Sequence, residues 1–273
     1  MIEHRFTAAA ATYDLHDCPQ RELAERLLAL IPPLHPGRIL DVGAGTGLLT
    51  QYLLDRYPDA DIDALDMAPG MVEFGCKRFQ RQPRVTWRLG DARHYRSTHR
   101  YDLIVSNAAL QWVPSLPSAL AHLVGLLEPG GAVGIGVMLS GTLAELHTLR
   151  GQVAPSKKTS VQLPCWKDVL SAVGDAGVEI IQSDRALNRV GYESAAMFLR
   201  ILHNQGVTGG HPDRGMQLLN RTELSRLVRL YEELYSCDSG VTATYEYGVV
   251  VAVKNGRPSA TETADKSQLG GLG

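Results

Sequence analysis

The chain has 273 residues, 44% apolar and 21% charged, with a formal net charge of −2, a composition that fits one globular domain with at most a cap and gives no global attraction to nucleic acid. Its four cysteines (Cys18, Cys76, Cys165, Cys237) form no C-x-x-C pair and no metal-ligand spacing, so no metal is expected and a reduced, cytoplasmic setting fits best. No apolar run approaches a membrane span, and Glu3, His4 and Arg5 followed by alanines make a poor signal-peptide core.

Taken in order, residues 20–31 carry apolar side chains at helical spacing and stop at Pro32-Pro33. Arg38–Val42 reads as a buried strand that runs into Gly43-Ala44-Gly45-Thr46-Gly47, and Leu48–Arg56 as the helix beyond it. Then come a strand at Ile62–Leu65 ending at Asp66, a helix at Met71–Phe79, and a strand at Val85–Leu89 followed by Gly90-Asp91. Asp102–Ser106 is an apolar strand of the kind covered on both faces. A helix at Ser118–Leu127 is stopped by Pro129-Gly130-Gly131, and Ala132–Leu139 is the fifth strand. This alternation predicts an α/β fold: a doubly wound, mostly parallel seven-stranded Rossmann-like sheet with an antiparallel last strand.

Beyond the fifth strand the alternation loosens. Helices are expected at Thr142–Arg150 and Trp166–Ala176, a strand at Val178–Ser183, and a long last strand at Thr242–Val253. Between these last two strands, Ser194–Asn204 and Arg221–Tyr235 read as helices around a glycine-rich joint. The expected organisation is an N-terminal helical lid (1–35), a core (36–191 and 241–254), a helical cap (192–240) and a small, polar, disordered tail (255–273). Seven arginines (Arg185, Arg189, Arg200, Arg214, Arg221, Arg226, Arg229) stand against Glu193, Asp213 and Glu223 in this region. That surplus is either a solvated helical surface or a dock for an acidic partner.

The glycine turn is spaced G-x-G-x-G, whereas a nicotinamide-dinucleotide turn wants G-x-G-x-x-G; position 48 is Leu. The expectation therefore moves from hydride transfer to methyl transfer from S-adenosylmethionine. Ligands of open parallel sheets bind at the carboxyl ends of the strands, and four such ends carry suitable groups. The glycines allow close backbone approach. Asp66 can accept both ribose hydroxyls, Asp91 the adenine amino hydrogen, and Asn107 can hold the amino-acid portion. The alternatives are structural: a turn or helix cap at Asp66, a cap at Asn107. The donor has no pyrophosphate, and the turn has no basic residue.

With these features the chain resembles the class I methyltransferases, and more particularly the malonyl-acyl-carrier-protein O-methyltransferases of biotin synthesis, over about residues 5–254. The likeness rests on Phe6-Thr7-Ala8-Ala9-Ala10-Ala11-Thr12-Tyr13 with Gln20 seven residues on, on Ser106-Asn107-Ala108-Ala109-Leu110-Gln111-Trp112, on Gly141-Thr142-Leu143-Ala144-Glu145-Leu146-His147, and on Leu199-Arg200-Ile201-Leu202, Leu219-Asn220-Arg221-Thr222 and Thr244-Tyr245 in and after the cap. Asp17 stands where that family has a small residue. The resemblance implies methylation of the free carboxylate of a malonyl thioester, on acyl carrier protein or coenzyme A, with S-adenosylhomocysteine as product. The nearest confusable group methylates small diffusible carboxylic acids.

The expected cofactor set is Gln20, Asp41, Gly43, Ala44, Gly45, Asp66, Met67, Asp91, Ala92 and Asn107. A carboxylate is already ionised at neutral pH, so alignment and removal of water suffice and no strong base is needed. Nucleic-acid amine methylation would put an N/D-P-P-Y/F motif where Asn107-Ala108-Ala109-Leu110 stands. Tyr13 and Gln111 are expected to line the methyl-transfer channel. His147 either reaches the pocket or is structural. Arg200 is the candidate for the malonyl carboxylate, the phosphopantetheine phosphate or the thioester side. Pro164-Cys165 resembles the nucleophile motif of cytosine-C5 methyltransferases but lies too far along the chain, so Cys165 reads as structural. A monomer is expected, with no nucleic-acid or membrane partner. A catalytically silent fold is disfavoured by the intact turn with Asp66 and Asp91.

Overall fold

The computed structural model describes residues 6–7, 17–157, 162–205 and 218–256; Tyr13 and residues 257–273 of the expected tail lie outside them. Five parallel strands, β1 (Arg38–Val42), β2 (Asp61–Asp66), β3 (Val85–Leu89), β4 (Tyr101–Asn107) and β5 (Leu127–Met138), are joined by β6 (Glu179–Tyr192), β7 (Ser236–Cys237) and β8 (Gly240–Val253). The order is β3-β2-β1-β4-β5-β8-β6, and β8 runs antiparallel to both of its neighbours. The seven-stranded expectation gains an eighth strand, because the two-residue β7 turns back on the start of β8. Winding reverses between β1 and β4, which are hydrogen-bonded to each other, so the strand ends there open a crevice.

Strand periodicity divides the core. Ile39, Leu103 and Val105 face one side of the sheet, whereas Leu40, Val42 and Ile104 face the other. Helices α1 (Cys18–Leu30) and α2 (Leu48–Arg56) cover the first side, and α3 (Pro69–Arg78) follows β2. Helices α4 (Leu116–Gly125) and α6 (Trp166–Asp175) cover the second. Close approach of α1 depends on Gly136 of β5, where a Cβ would meet Leu23 Cγ at 3.1 Å and Asn107 Oδ1 at 3.2 Å. Asp17, at the start of α1, is buried and accepts a hydrogen bond from Arg21 at 2.8 Å.

The largest departure from the sequence reading is β6. A short strand at Val178–Ser183 is expected; the strand runs from Glu179 to Tyr192 and pairs with β8 to its end. Its outer half alternates partly buried and exposed residues, and the polar side chains of SDRALNR disguise strand character that β8 imposes by pairing. Likewise β5 begins at Leu127, since Glu128–Gly131 continue the strand rather than forming only a stop.

The β6–β8 extension supports α5 (Ala144–Val153), α7 (Ala195–Asn204) and α8 (Arg221–Leu234). Phe198 of α7 stacks between Tyr192 (4.8 Å between centroids) and Tyr231 of α8 (5.3 Å). Ser194 caps α7, and Asn220 with Glu223 forms a capping box on α8. The buried side chains of α7 and α8 share one hydrophobic cluster with α1 and α2. Among the described residues no helix is long and apolar enough to cross a membrane.

Candidate active site

The turn from β1 into α2 is held open by positive φ at Gly43 (71°), Gly45 (58°) and Gly47 (92°). Gly43 and Ala44 donate their N–H groups to Leu65 O at 2.8 and 3.0 Å. Asp66, at the end of β2, accepts from Gly45 N at 2.9 Å and from Ala68 N at 2.8 Å. Burial pushes its carboxyl up, while the N–H groups of Ala68, Gly45 and Met67 pull it back. Asp66 thereby ties the turn to the neighbouring strand and keeps lone pairs for a further donor.

A Cβ on Gly43 would lie 2.2 Å from Ala109 Cβ, in a backbone conformation that disfavours side chains. Gly43→Ala is therefore expected to weaken S-adenosylhomocysteine binding by about tenfold, the consequence of ~1–3 kcal/mol of strain and displacement. Calorimetric titration reads the effect, and unchanged affinity would mean that Ala109 moves aside freely.

The turn floors a cleft of about 950 Å³ including its open mouth. One end is apolar: Leu65, Met71, Leu110 and Val113 line it, and Phe6 packs edge-on to Trp112 at 6.2 Å. The other end is acceptor-rich. Asp41, Gln20 and Asn107 line it, and Asp41 Oδ1, Gln20 Oε1 and Asn107 Oδ1 are buried with no hydrogen-bond partner. Asn107 does not cap a helix; its Nδ2 donates to Gln20 O at 2.9 Å. Asp41 is fully buried, and its Oδ2 accepts from Thr50 Oγ1 at 2.6 Å. Burial drives its carboxyl up to about 7, Thr50 opposes the rise, and Asp66 adds to it. Buried acceptors without donors are costly. A ligand with an ammonium and a sulfonium supplies the missing positive charge, so these residues fit S-adenosylmethionine.

Asp91, at the end of β3, lines the cleft together with Met67 and Ala92, but it also serves Arg93. The guanidinium donates to Oδ1 at 3.1 Å and to Oδ2 at 2.6 Å, and holds the carboxyl below the ordinary range. Other candidates stand elsewhere. Gln111 is not on the cleft wall; its Nε2 donates to Ala108 O at 2.9 Å, its Oε1 is buried without a partner, and Ala108 has a φ of 51°. His147, on α5, and Arg200, exposed on α7, do not line the cleft. Burial, helped by Arg150, lowers the His147 pKa, so the ring is neutral at physiological pH. Cys165 is exposed just before α6. Sequence reasoning missed Thr50 and Arg93. Thr50 could have been found from its one-turn helical position behind a strand-end Asp; Arg93 carried no signal. Among the described residues no cluster of His, Cys, Asp and Glu could hold a metal ion.

A family model described as a methyltransferase domain matches residues 39–131, the part of the chain that builds this cleft. Malonyl-[acyl-carrier protein] O-methyltransferase from Halorhodospira halophila is 33% identical over 250 residues, covering 90% of this chain and 84% of the relative. The chain belongs to the malonyl-[acyl-carrier protein] O-methyltransferase family. The member from Geobacter sulfurreducens is 30% identical, covering 91% of this chain and 97% of its own length. Among solved structures, the N-methyltransferase NodS from Bradyrhizobium japonicum in complex with S-adenosyl-l-homocysteine aligns with a TM-score of 0.53 at 15% identity, over 89% of this chain and 91% of its own. That likeness supports the fold alone. The family assignment rests on the sequence relatives, whose matches cover about nine tenths of the chain.

Proposed function

We propose that this methyltransferase transfers the methyl group of S-adenosylmethionine to the free carboxylate of a malonyl thioester carried by acyl carrier protein, a step of biotin precursor synthesis. The observation that carries the donor half is the set of buried acceptors, Asp41 Oδ1, Gln20 Oε1 and Asn107 Oδ1, at one end of the cleft. The acceptor half rests on family membership. In the transfer a carboxylate oxygen forms a bond to the methyl carbon as the sulfur–carbon bond breaks, giving a methyl ester and S-adenosylhomocysteine. No proton moves.

In this reading Asp66 takes the ribose hydroxyls and Asp91 the adenine amino group beside Arg93. Asp41, Gln20 and Asn107 hold the amino-acid portion, with Gly43, Ala44 and Gly45 beneath it and Met67 and Ala92 flanking the purine. Tyr13 closes over the donor, and Gln111 acts on the acceptor after a side-chain rotation. His147 and Arg200 belong to the acceptor's route through the cap of residues 192–240. What the fold supplies is alignment and a dry wall from Leu65, Met71, Leu110 and Val113. Labelled donor incubated with malonyl-carrier protein should yield labelled methyl ester. Donor binding without label on either malonyl-carrier protein or malonyl coenzyme A would reject the substrate and leave a small diffusible acid as the alternative.

Arg200, Arg221, Arg226 and Arg229 are exposed on α7 and α8. Arg185 is committed to Glu246, and the one acid in the first two turns of α8, Glu223, is paired with Lys157 at 2.6 Å. An acidic carrier is therefore expected to be preferred to the free coenzyme A thioester, with the ratio of kcat/KM falling several-fold between 50 and 300 mM salt, on the order expected for exposed charges. A ratio independent of salt would remove the docking role.

A further inference from the structure

Two phenols, one buried and one half-buried, do not line the donor cleft. Tyr192, the last residue of β6, and Tyr245 of β8 place their hydroxyl oxygens 2.7 Å apart. Tyr245 is 6% exposed. A hydrogen bond between two hydroxyls consumes only one of their two protons. No other described group accepts from either oxygen, so the pair keeps one donor proton, part-buried. Burial pushes both phenols up, which keeps them protonated at neutral pH.

The pair stands on the side of the sheet where the parallel strands end, the side at which ligands of such folds bind. Tyr247 is opposite Met138, the last residue of β5, and Tyr245 lies two residues farther out on the same face. It therefore projects past the strand ends that carry Asp66, Asp91 and Asn107. Asn188, opposite Tyr245 in the register, reaches Glu22 of α1 with its amide and Tyr247 Oη at 3.4 Å. Gln20, less than one turn earlier on α1, lines the donor cleft. Through Asn188, the β6–β8 pair that carries both tyrosines thus touches α1 two residues beyond a cleft-lining side chain.

We propose that the Tyr192–Tyr245 hydroxyl pair holds the non-attacking oxygen of the carboxylate to be methylated, an inference that rests on the function proposed above. The chemistry favours a neutral donor there. The carboxylate loses its charge as the ester forms, so a cation bound to it would stabilise the ground state most strongly and slow transfer. A phenol orients the group with a weaker bond. Because so weak a bond changes little between the bound state and the transition state, its loss appears in KM rather than in kcat.

Tyr245→Phe and Tyr192→Phe, made in the full chain, are expected to raise KM for malonyl-carrier protein about tenfold, the scale of one hydrogen bond to a charged group. Their kcat should stay within about twofold, and the S-adenosylhomocysteine Kd should be unchanged. The double variant should be no worse than either single one, since the hydroxyls act as a unit. Tyr231→Phe provides the stability control, because its hydroxyl donates to Thr242 O at 3.0 Å; it should lower Tm and leave KM alone. An unchanged KM in both single variants overturns the assignment, as does a KM rise that merely follows Tm across all three tyrosines. A wild-type protein that transfers no methyl to malonyl thioester overturns the function proposed above and this inference with it, whereas wild-type transfer with unaltered variants overturns this inference alone.

Discussion

Asp41→Asn should make the ligand-free protein more stable at pH 8 while weakening S-adenosylhomocysteine binding by about 50-fold, the scale of losing one charge-assisted contact of ~2–3 kcal/mol. The wild-type carboxyl is fully buried, has Thr50 as its one hydrogen-bond donor, and is raised by burial to about 7. A carboxyl whose folded pKa lies above its unfolded value stabilises the fold fully below the unfolded value, near 4, and loses that contribution as pH rises through about 7. The loss is at most on the order of 4 kcal/mol. A bound cation next to Asp41 restores the balance by favouring the ionised form. Thermal melts between pH 5.5 and 8.5 should therefore show the ligand-free Tm falling with pH and the ligand-induced rise growing over the same window. Asparagine cannot ionise and should flatten both trends. An Asp41→Asn protein with wild-type affinity at pH 8 would show that the orphaned oxygen does not meet the ligand.

The second large effect is expected at Glu246. This residue is 3% exposed on β8. Its Oε2 accepts from Gly141 N at 2.6 Å, and its Oε1 pairs with Arg185 at 2.5 Å. The same stretch is stitched again by Leu139 N to Glu246 O at 2.8 Å and by Thr142 Oγ1 to Glu246 O at 3.1 Å. Leu143 follows at a φ of 56° and donates its N–H to Thr244 O at 2.7 Å. Glu246 therefore clamps the turn that leads from β5 into α5. Glu246→Ala leaves the Gly141 N–H without its partner and opens a cavity, for a loss of about 3 kcal/mol. For a chain of this size that is roughly a 10 °C fall in Tm. Glu246→Gln keeps an acceptor for Gly141 and should lose about a third as much. Arg185→Ala should cost less still, because its side chain is 57% exposed. Urea unfolding of the three variants tests the order; equal losses for Glu246→Ala and Arg185→Ala would mean that the ion pair, rather than the backbone clamp, carries the stability.

Much of the candidate cleft was legible before any tertiary structure. Strand β1, the glycine turn and α2 fall where the sequence puts them, because apolar runs, left-handed glycines and a helix start are local signals. Asp66, Asp91 and Asn107 were readable as strand ends for the same reason. The acceptor side was less legible. Tyr13 lies outside the described residues, and Gln111, His147 and Arg200 do not reach the cleft wall, since their directions depend on turns and helix packing that spacing does not encode.

Sequence by itself determined the alternation of strands and helices, the glycine turn and the acids around it, each fixed by residues a few positions apart. Only the tertiary structure decided that β6 runs on to Tyr192, because its polar alternation becomes a strand when β8 lies beside it. It also decided that Arg93 grips Asp91, that one oxygen of Asp41 is buried without a partner, and that Tyr192 and Tyr245, 53 residues apart, share a hydrogen bond. These contacts arise from chain segments brought together by burial, and their energies exist only once water has been excluded from between them.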